Sequence, residues 1–314
     1  DPDWDAGVTG RICDPSGGDW VIGALVWTLY DSDGDGSADA RREDTTDADG
    51  RFTLSNLPGG DYTIHVEKGS FTVDFDVTLT GGMYELPDAE CLLPPDILVI
   101  TGAYDSIEDV LDRMGVGYDL INGVSGQQHT NFLKDASQMG AYDIIFLNCG
   151  MGEGWVNSKD VIGANIKQYA LDGGSMYTSD WSYYAFEVAF PDAVDFYGDD
   201  KVSGSAYVGS AATINAAVVD ATMQGVLGKS TAKINYDLDA WAVMESANSD
   251  VDVLLTGDAP YFDWNSWASG TVKSSPLAVE IHPGKGNMIY TSFHNERQTT
   301  GDMDAMLEEI ILSL

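Results

Sequence analysis

The sequence predicts two domains of different class. Residues 1–92 read as an all-β sandwich, residues 93–96 as a short Pro-rich linker, and residues 97–314 as a doubly wound α/β domain with a mostly parallel sheet. Three observations predict this. Up to Leu79 the apolar residues alternate with polar ones, the period of half-buried strands. At Leu92-Leu93-Pro94-Pro95-Asp96 the chain stiffens. Beyond it, short solid apolar runs alternate with helical stretches, the pattern of buried parallel strands with crossover helices. At 314 residues the chain is long enough for two cores.

In the first domain, Gly10-Arg11-Ile12-Cys13 opens a strand and Val21 to Tyr30 supplies an apolar one containing Trp27. Asp49-Gly50 signals a turn, followed by a strand with Phe52 and Leu54 inward. Leu57-Pro58-Gly59-Gly60 is a second turn, and Tyr62, Ile64 and Val66 alternate in the next strand, so that the stretch reads as a closing hairpin. Phe71, Val73, Phe75, Val77 and Leu79 alternate in the last. Residues Asp1 to Gly10 read as an acidic tail, held by its own sheet or by a neighbouring subunit if ordered.

Between the second strand and that hairpin lies Asp31-Ser32-Asp33-Gly34-Asp35-Gly36. Side chains at alternate positions of a tight loop converge on one point, and a hard cation takes six to eight oxygens at about 2.3–2.6 Å. The pattern opens like an EF-hand loop, with the turn glycine sixth. It then departs: the twelfth position is Arg42, not Glu. Ser37 through its carbonyl, Asp39, and Asp47 or Asp49 from the returning strand are candidates to complete a Ca²⁺ shell, as are Glu43 and Asp44. A solvated acidic turn is the alternative; the repulsion among so many carboxylates favours the cation.

The motifs Thr-Asp-Ala-Asp-Gly-Arg-Phe-Thr-Leu (46–54) and Leu-Pro-Gly-Gly-Asp-Tyr-Thr-Ile (57–64) resemble the carboxypeptidase-regulatory-like and Cna-B-like families of bacterial surface proteins. The resemblance covers about the first ninety residues. It implies an immunoglobulin- or prealbumin-like sandwich, an extracellular setting, and a spacer, stalk or adhesive role without chemistry.

Charge and cysteines point the same way. With 51 acidic and 15 basic residues the net charge is −36, which argues against nucleic-acid or anionic-membrane partners. No apolar run is long enough to span a bilayer. The chain opens at Asp1 without an initiator Met, the expectation for a processed exported protein. Cys13 and Cys91 stand at the two ends of the sandwich, and an oxidising compartment favours a disulfide between them over free thiols; only geometry settles the choice. Cys149 is left over. No N-x-S/T sequon is present.

In the second domain, Ile97 to Thr101, Tyr118 to Ile121, Asp143 to Leu147, Ser175 to Ser179, Val251 to Thr256 and Asn287 to Thr291 read as strands. A Gly/Ala/Ser-rich strand region is expected around Val202 to Ala212. Helices are predicted from Ser106 to Met114, Asn131 to Met139, Val161 to Leu171 and Asp302 to Leu314. The segments ILVITGAYDS, AYDIIFLNCG, YALDGGSMYTSDW and GKGNMIYTSFHNE resemble the class I glutamine-amidotransferase-like superfold, especially its ThuA-like members. That resemblance implies a nucleophilic Cys on the tight turn after the fourth strand and a later His-x-Glu pair. His294-Asn295-Glu296 stands where the pair is expected. The turn reads Thr178-Ser179-Asp180-Trp181, without Cys, and Cys149 follows the third strand instead.

The sequence therefore favours a non-catalytic domain that keeps a polar cluster at the carboxyl ends of its strands. The alternative is a secreted hydrolase or amidase using Ser179 or Cys149 with Asp180, His294 and Glu296. A further alternative is carbohydrate binding through Tyr261, Trp264 and Trp267, with Trp181 raising the same question. The preferred expectation is a secreted, Ca²⁺-binding structural or adhesive surface protein, with a subunit of an extracellular fibre as one form of that role and copies of itself or other surface components as partners.

Overall fold

The computed structural model describes residues 4–295 and 300–314. The chain divides into two compact units. The first runs to Pro95 and includes Arg113–Val116 and Ser313; the second holds Asp96–Asp112, Gly117–Leu312 and Leu314. No helix among the described residues is long and apolar enough to cross a membrane.

The first unit is a sandwich of two sheets. Its strands are β1 (Ala6–Cys13), β2 (Leu25–Tyr30), β3 (Ala40–Thr45), β4 (Arg51–Leu57), β5 (Gly60–Lys68), β6 (Phe71–Leu79), β7 (Met83–Glu85) and β8 (Glu90–Cys91). One sheet has the order β4-β1-β7, with β8 also on β1; the other has the order β3-β2-β5-β6. The core comes from one face of each: Val8, Ile12, Phe52, Leu54 and Leu57 from the first sheet, and Val26, Ile64, Val66, Phe71 and Leu79 from the second, all buried. Leu57 breaks the alternation set by Phe52 and Leu54. Asn56 stands at φ 57°, and the β1–β4 register shifts between Ala6 and Val8. This bulge adds one residue and turns Leu57 back into the core.

Two expectations change here. The first strand begins at Ala6 rather than Gly10, so half of the expected acidic tail is held in its own sheet; Asp1 to Asp3 lie outside the described residues. The stretch from Arg51 to Val66 is no hairpin either. β4 and β5 belong to different sheets, and Pro58-Gly59 carries the chain between them. Each buries its own alternate residues, so the pattern looks the same as a hairpin in sequence. Strand β3, Ala-Arg-Arg-Glu-Asp-Thr, has no buried residue and lies at a sheet edge, where charged side chains deter further pairing.

The second unit contains β9 (Ile97–Ile100), α1 (Ile107–Arg113), β10 (Asp119–Ile121), α2 (Gln128–Leu133), α3 (Ala136–Met139), β11 (Ile144–Leu147), α4 (Lys159–Asp172), β12 (Ser175–Ser179), α5 (Tyr183–Ala189), β13 (Val194–Phe196), β14 (Tyr207–Gly209), β15 (Ala212–Val218), α6 (Ala221–Leu227), β16 (Thr231–Tyr236), β17 (Trp241–Ala242), β18 (Met244–Ala247), β19 (Asp252–Asp263), β20 (Ala268–Ile281), β21 (Met288–Thr291) and α7 (Gly301–Ser313). Its large sheet runs β10-β9-β11-β12-β21-β20-β19-β14-β17, with β15 on β19 and β16 on β15.

The first five strands of that order are parallel. From β21 outward every pairing is antiparallel. The sheet is thus mixed, not mostly parallel. β9, β11, β12 and β21 are buried at every residue. Leu98, Ile100, Ile145, Leu147, Met176 and Tyr290 pack into one cluster with Ile162 and Ile166 of α4 and Phe186 of α5. The intervening Val99, Phe146, Tyr177 and Ile289 are equally buried. Strands covered on both faces read as unbroken apolar runs.

The predicted helix at Asn131–Met139 is two helices. Asp135 interrupts it and caps the second by accepting from the backbone N–H of Ser137 and Gln138. The expected strand around Val202 to Ala212 is mostly turn, with pairing confined to β14 and the start of β15.

Cys13 and Cys91 form a disulfide across neighbouring positions of β1 and β8, 78 residues apart in sequence. Closing a loop of that length restricts the unfolded chain, so reduction, or Cys13→Ser with Cys91→Ser, is expected to cost roughly 2–4 kcal/mol. Urea unfolding followed by fluorescence, with and without reductant, measures it; an unchanged midpoint would refute the assignment of a stabilising role.

Candidate functional site

Two clusters gather chemistry-bearing side chains. The first is the loop from Asp31 to Asp39, which joins β2 to β3 as an antiparallel hairpin. Carboxylate oxygens of Asp31, Asp33 and Asp35 all lie within 4.8 Å of one another. Short backbone bonds hold them so. Asp31 accepts from the N–H of Gly34 and of Gly36, both at 2.7 Å. Asp33 accepts from Asp35 N–H at 3.1 Å and Asp35 from Ser37 N–H at 2.8 Å. Gly34 and Gly36 stand at φ 83° and 92°, a left-handed conformation that side chains disfavour. The Gly36 and Gly34 N–H groups hold the Asp31 carboxyl below its usual pKa.

The rest of the expected shell is elsewhere. Asp39 closes the base of the loop, accepting from Ser32 N–H at 2.7 Å and from Ser32 Oγ at 2.9 Å. Asp47 and Asp49 sit beyond Thr45, at the far end of β3. Five strand steps at about 3.3 Å separate the two ends by about 17 Å. There Asp47 shapes a turn, accepting from Asp49 N–H and Arg51 N–H at 2.9 Å, and the Arg51 N–H lowers its pKa first of all. Glu43 pairs with Arg41, and Asp44 accepts from Thr53 N–H. Ser37 stays in the loop itself.

The second cluster lies in the second unit at the carboxyl ends of β11, β12 and β21. Cys149 follows β11, Asp180 follows β12, and His294 follows β21. Three adjacent parallel strands thereby bring together residues 145 positions apart in sequence. Asp180 is buried and stands at φ 40°, on the tight turn that leads through residues 180–182 into α5. Such a backbone costs about 1–3 kcal/mol for a non-glycine residue and persists only where neighbours impose it. Here Ala242 N–H donates to Asp180 Oδ1 at 2.7 Å and Cys149 Sγ donates to Oδ2 at 3.4 Å. His294 Nε2 lies 3.6 Å from the same Oδ2. Burial pushes the Asp180 carboxyl up to about 6, against the opposing pull of His294.

The two proposed nucleophiles are both committed. Ser179 is fully buried; its Oγ accepts from Cys149 N–H at 2.9 Å and donates to Asp105. Cys149 is 1 % exposed, and burial first, then the Asp180 charge, pushes its thiol well above the ordinary range. A thiol held protonated is a poor nucleophile. Ser179 Oγ is bound to Asp105, and the Cys149 thiol, though within 4.8 Å of His294 Nε2, is bound to Asp180. Glu296, the third member of the expected set, lies outside the described residues.

Asp105 was not foreseen as a site residue. It is 3 % exposed and accepts from Ser179 Oγ, from Ser106 N–H at 2.8 Å and from Asn295 N–H at 2.9 Å. Burial raises its pKa. The available signal was its place in the loop after the first apolar strand of a parallel sheet. Gly102 in the same loop is obligatory for another reason: a Cβ there would lie 1.9 Å from the Cys149 carbonyl oxygen.

Cys149, Asp180 and His294 border a cavity of about 330 Å³ whose aromatic walls are Tyr104, Trp181, Tyr236, Trp241 and Phe293. Trp181 donates its indole N–H to Ala240 O at 2.7 Å and stacks on Tyr207 at 4.9 Å. The other aromatic candidates are far from uniform. Tyr261 packs against Tyr197 at 5.0 Å. Trp264 and Trp267 stand at the tip of the β19–β20 hairpin, 62 % and 75 % exposed, each edge-on to Phe262.

Residues 7–84 match the carboxypeptidase regulatory-like domain family. No curated protein sequence matches the chain significantly. Similar solved structures include a cytoplasmic protein from Salmonella typhimurium, at 14% identity over 81% of this chain and 95% of that one, TM-score 0.43. The glutaminase domain of CTPS from Trypanosoma brucei aligns at 12% identity over 69% and 93%, TM-score 0.39. A streptococcal ancillary pilin aligns at 17% identity over 31% and 36%, TM-score 0.21. None of the three reaches a TM-score that decides fold or function. The family match does decide the first unit: the chain carries a carboxypeptidase regulatory-like β-sandwich domain at its N-terminus.

Proposed function

We propose that this chain is a Ca²⁺-stiffened structural or adhesive module of an exported surface protein, whose second unit is an amidotransferase-like scaffold that performs no acyl transfer. The observation that carries the reading is the convergence of Asp31, Asp33 and Asp35 on a hairpin loop whose backbone holds them together. Three carboxylates so placed repel one another, and a hard divalent cation with oxygen ligands relieves that repulsion. Asp31, Asp33 and Asp35 would hold it, with the Ser37 carbonyl and water completing the shell.

Export is supported by the Cys13–Cys91 disulfide, since such bonds persist in oxidising compartments. The net charge of −36 suits a cation-rich exterior. The exposed Trp264–Trp267 tip is, in this reading, the contact surface for a neighbouring copy or another surface component.

The second unit is read as a relic scaffold because the tight turn after its fourth apolar strand carries Asp180 in place of a nucleophile. The Ser179 and Cys149 side chains beside it serve the backbone and the buried carboxylates.

Ca²⁺ at one hundred times its Kd is expected to stabilise the first unit by about 2.7 kcal/mol. Calorimetry with added Ca²⁺ and with EDTA reads this as a shift in melting temperature, absent in Asp33→Asn. Equal melting temperatures in Ca²⁺ and EDTA would sink the metal half of the proposal. For the second unit, iodoacetamide is expected to leave Cys149 unlabelled in the native chain and to label it fully in urea. Rapid native labelling near neutral pH would reinstate the thiol as a nucleophile.

The Asp180 carboxyl gives a further expectation for the metal-free chain. Its folded pKa is raised from 3.8 to about 6, so between those values the folded state holds a proton that the unfolded state has lost. Stability contributed by this group is therefore present below about pH 4 and is lost as pH rises through 6. At 1.36 kcal/mol per pH unit the loss is on the order of 3 kcal/mol. Asp180→Asn, measured in EDTA, is expected to exceed the wild type in stability at pH 7.5 and to match it near pH 4. A gap that does not change with pH would show that the carboxylate is stabilised by other means.

A further inference from the structure

Cys149, Asp180 and His294 offer three different donor atoms to one point beside the aromatic cavity. Cys149 Sγ lies 3.4 Å from Asp180 Oδ2, His294 Nε2 lies 3.6 Å from the same oxygen, and all three atoms fall within 4.8 Å of one another. The 3.6 Å separation is too long for a hydrogen bond between imidazole and carboxylate. It is, however, a length that two ligands of one metal adopt. A tetrahedral Zn²⁺ with about 2.3 Å to sulfur and about 2.0–2.1 Å to nitrogen and oxygen has edges of about 3.6 Å between S and O and about 3.4 Å between N and O. The two measured edges agree with these to about 0.2 Å.

The donors are also held without help from an ion. Asp180 is fixed by the strained turn and by Ala242 N–H. Cys149 is fixed through its own N–H on Ser179 Oγ. His294 precedes Asn295, whose N–H is bound by Asp105 and whose side-chain amide donates to Ser106 O at 2.8 Å. Each ligand comes from the end of a different strand, so the spacing is set by the sheet. Rigid elements of this kind are what a preorganised metal site requires.

We propose that Cys149, Asp180 and His294 form a three-ligand site for a zinc-class divalent transition ion, its fourth position open to the aromatic cavity. The donor set selects the ion. Thiolate and imidazole suit Zn²⁺ and its neighbours, whereas Ca²⁺ takes six or more oxygens. On binding, the Cys149 S–H bond breaks, the sulfur's electron pair goes to the metal, and one proton leaves to solvent. The ion's two positive charges meet one thiolate and one carboxylate, so the centre is neutral in a buried place. The site stands apart from the Ca²⁺ loop and does not rest on that reading.

The test is Co²⁺ titration of the EDTA-stripped, dialysed full chain in excess Ca²⁺, followed by Zn²⁺. One Co²⁺ per chain is expected, with a thiolate-to-cobalt charge-transfer band in the near ultraviolet that Zn²⁺ abolishes. Cys149→Ser is expected to lose the band. His294→Ala and Asp180→Asn are expected to weaken Zn²⁺ binding by more than the roughly 10- to 100-fold that changing a group behind a ligand costs, and Asp33→Asn to leave it unchanged. Wild-type chain that shows no band, whether or not Co²⁺ adheres to its acidic surface, overturns the proposal without recourse to any variant. A band that survives in Cys149→Ser, with far-ultraviolet circular dichroism of a folded chain, overturns it as well.

Discussion

The buried carboxylate of Asp105 is the constraint on which the second unit's polar end depends. It sits at the end of the loop after β9 and binds three groups from separate segments: the hydroxyl that ends β12, the amide of Ser106 at the entrance to α1, and the amide of Asn295 after β21. An unpaired carboxylate at that depth would be prohibitively costly. Three donors make it tolerable, and in return they register the loops on three strands against one another. Cys149, Asp180 and His294 inherit their spacing from this arrangement. Ser179 is the link, because its one hydroxyl accepts from Cys149 N–H while donating to Asp105. The serine offered by the sequence as a nucleophile for His294 thus proves to be a strut between two loops.

What the sequence made readable follows the same physics. The runs ILVI, IIFL and MIYT are buried on both faces, and such burial leaves a largely apolar signature; SMYTS is equally buried with Ser or Thr at three of its five positions. The parts that escaped are those where burial is partial or chemistry is local. Strand β3 is charged or polar at every position but Ala40 because only its backbone matters at the edge. α5, Tyr-Tyr-Ala-Phe-Glu-Val-Ala, is buried almost all round, so it shows no helical stripe. β20 contains Pro276 and paired serines and reads as loop, yet Pro276 lies at a register shift of the β19–β20 ladder, where a missing N–H is tolerated.

The candidate sites were visible to different depths for a related reason. Alternate residues of one loop stay close whatever the fold, so Asp31, Asp33 and Asp35 could be grouped from spacing alone. Asp47 and Asp49 could not, because a strand carries the chain about 3.3 Å per residue away from the loop it leaves. His294, Asp180 and Cys149 were each identifiable as polar residues following an apolar run. That they meet at one point required the strand order β11-β12-β21, which skips from the fourth predicted strand to the last. The left-handed turn at Asp180 left no trace in residue type, since an aspartate in that position is set by its surroundings.

The two clusters hold their acids by opposite means, and this decides what each can bind. In the loop the carboxylates are exposed at Asp33 and Asp35 and half-buried at Asp31, and each is held by its neighbours' backbone N–H groups, which leaves lone pairs free and solvent at hand. Oxygen donors alone, in a loop open to solvent, suit a cation that changes coordination number easily. In the second unit Asp180 is buried beside sulfur and imidazole, with its geometry set by strand ends. Such a site cannot stretch to seven or eight oxygens, and it penalises any ion that demands them. If both proposed sites bind their ions, chelation with EDTA strips them together, and a change on chelation reports their sum. Only readouts tied to donor chemistry, sulfur-to-metal charge transfer for one cluster and Asp33 substitution for the other, separate the two contributions.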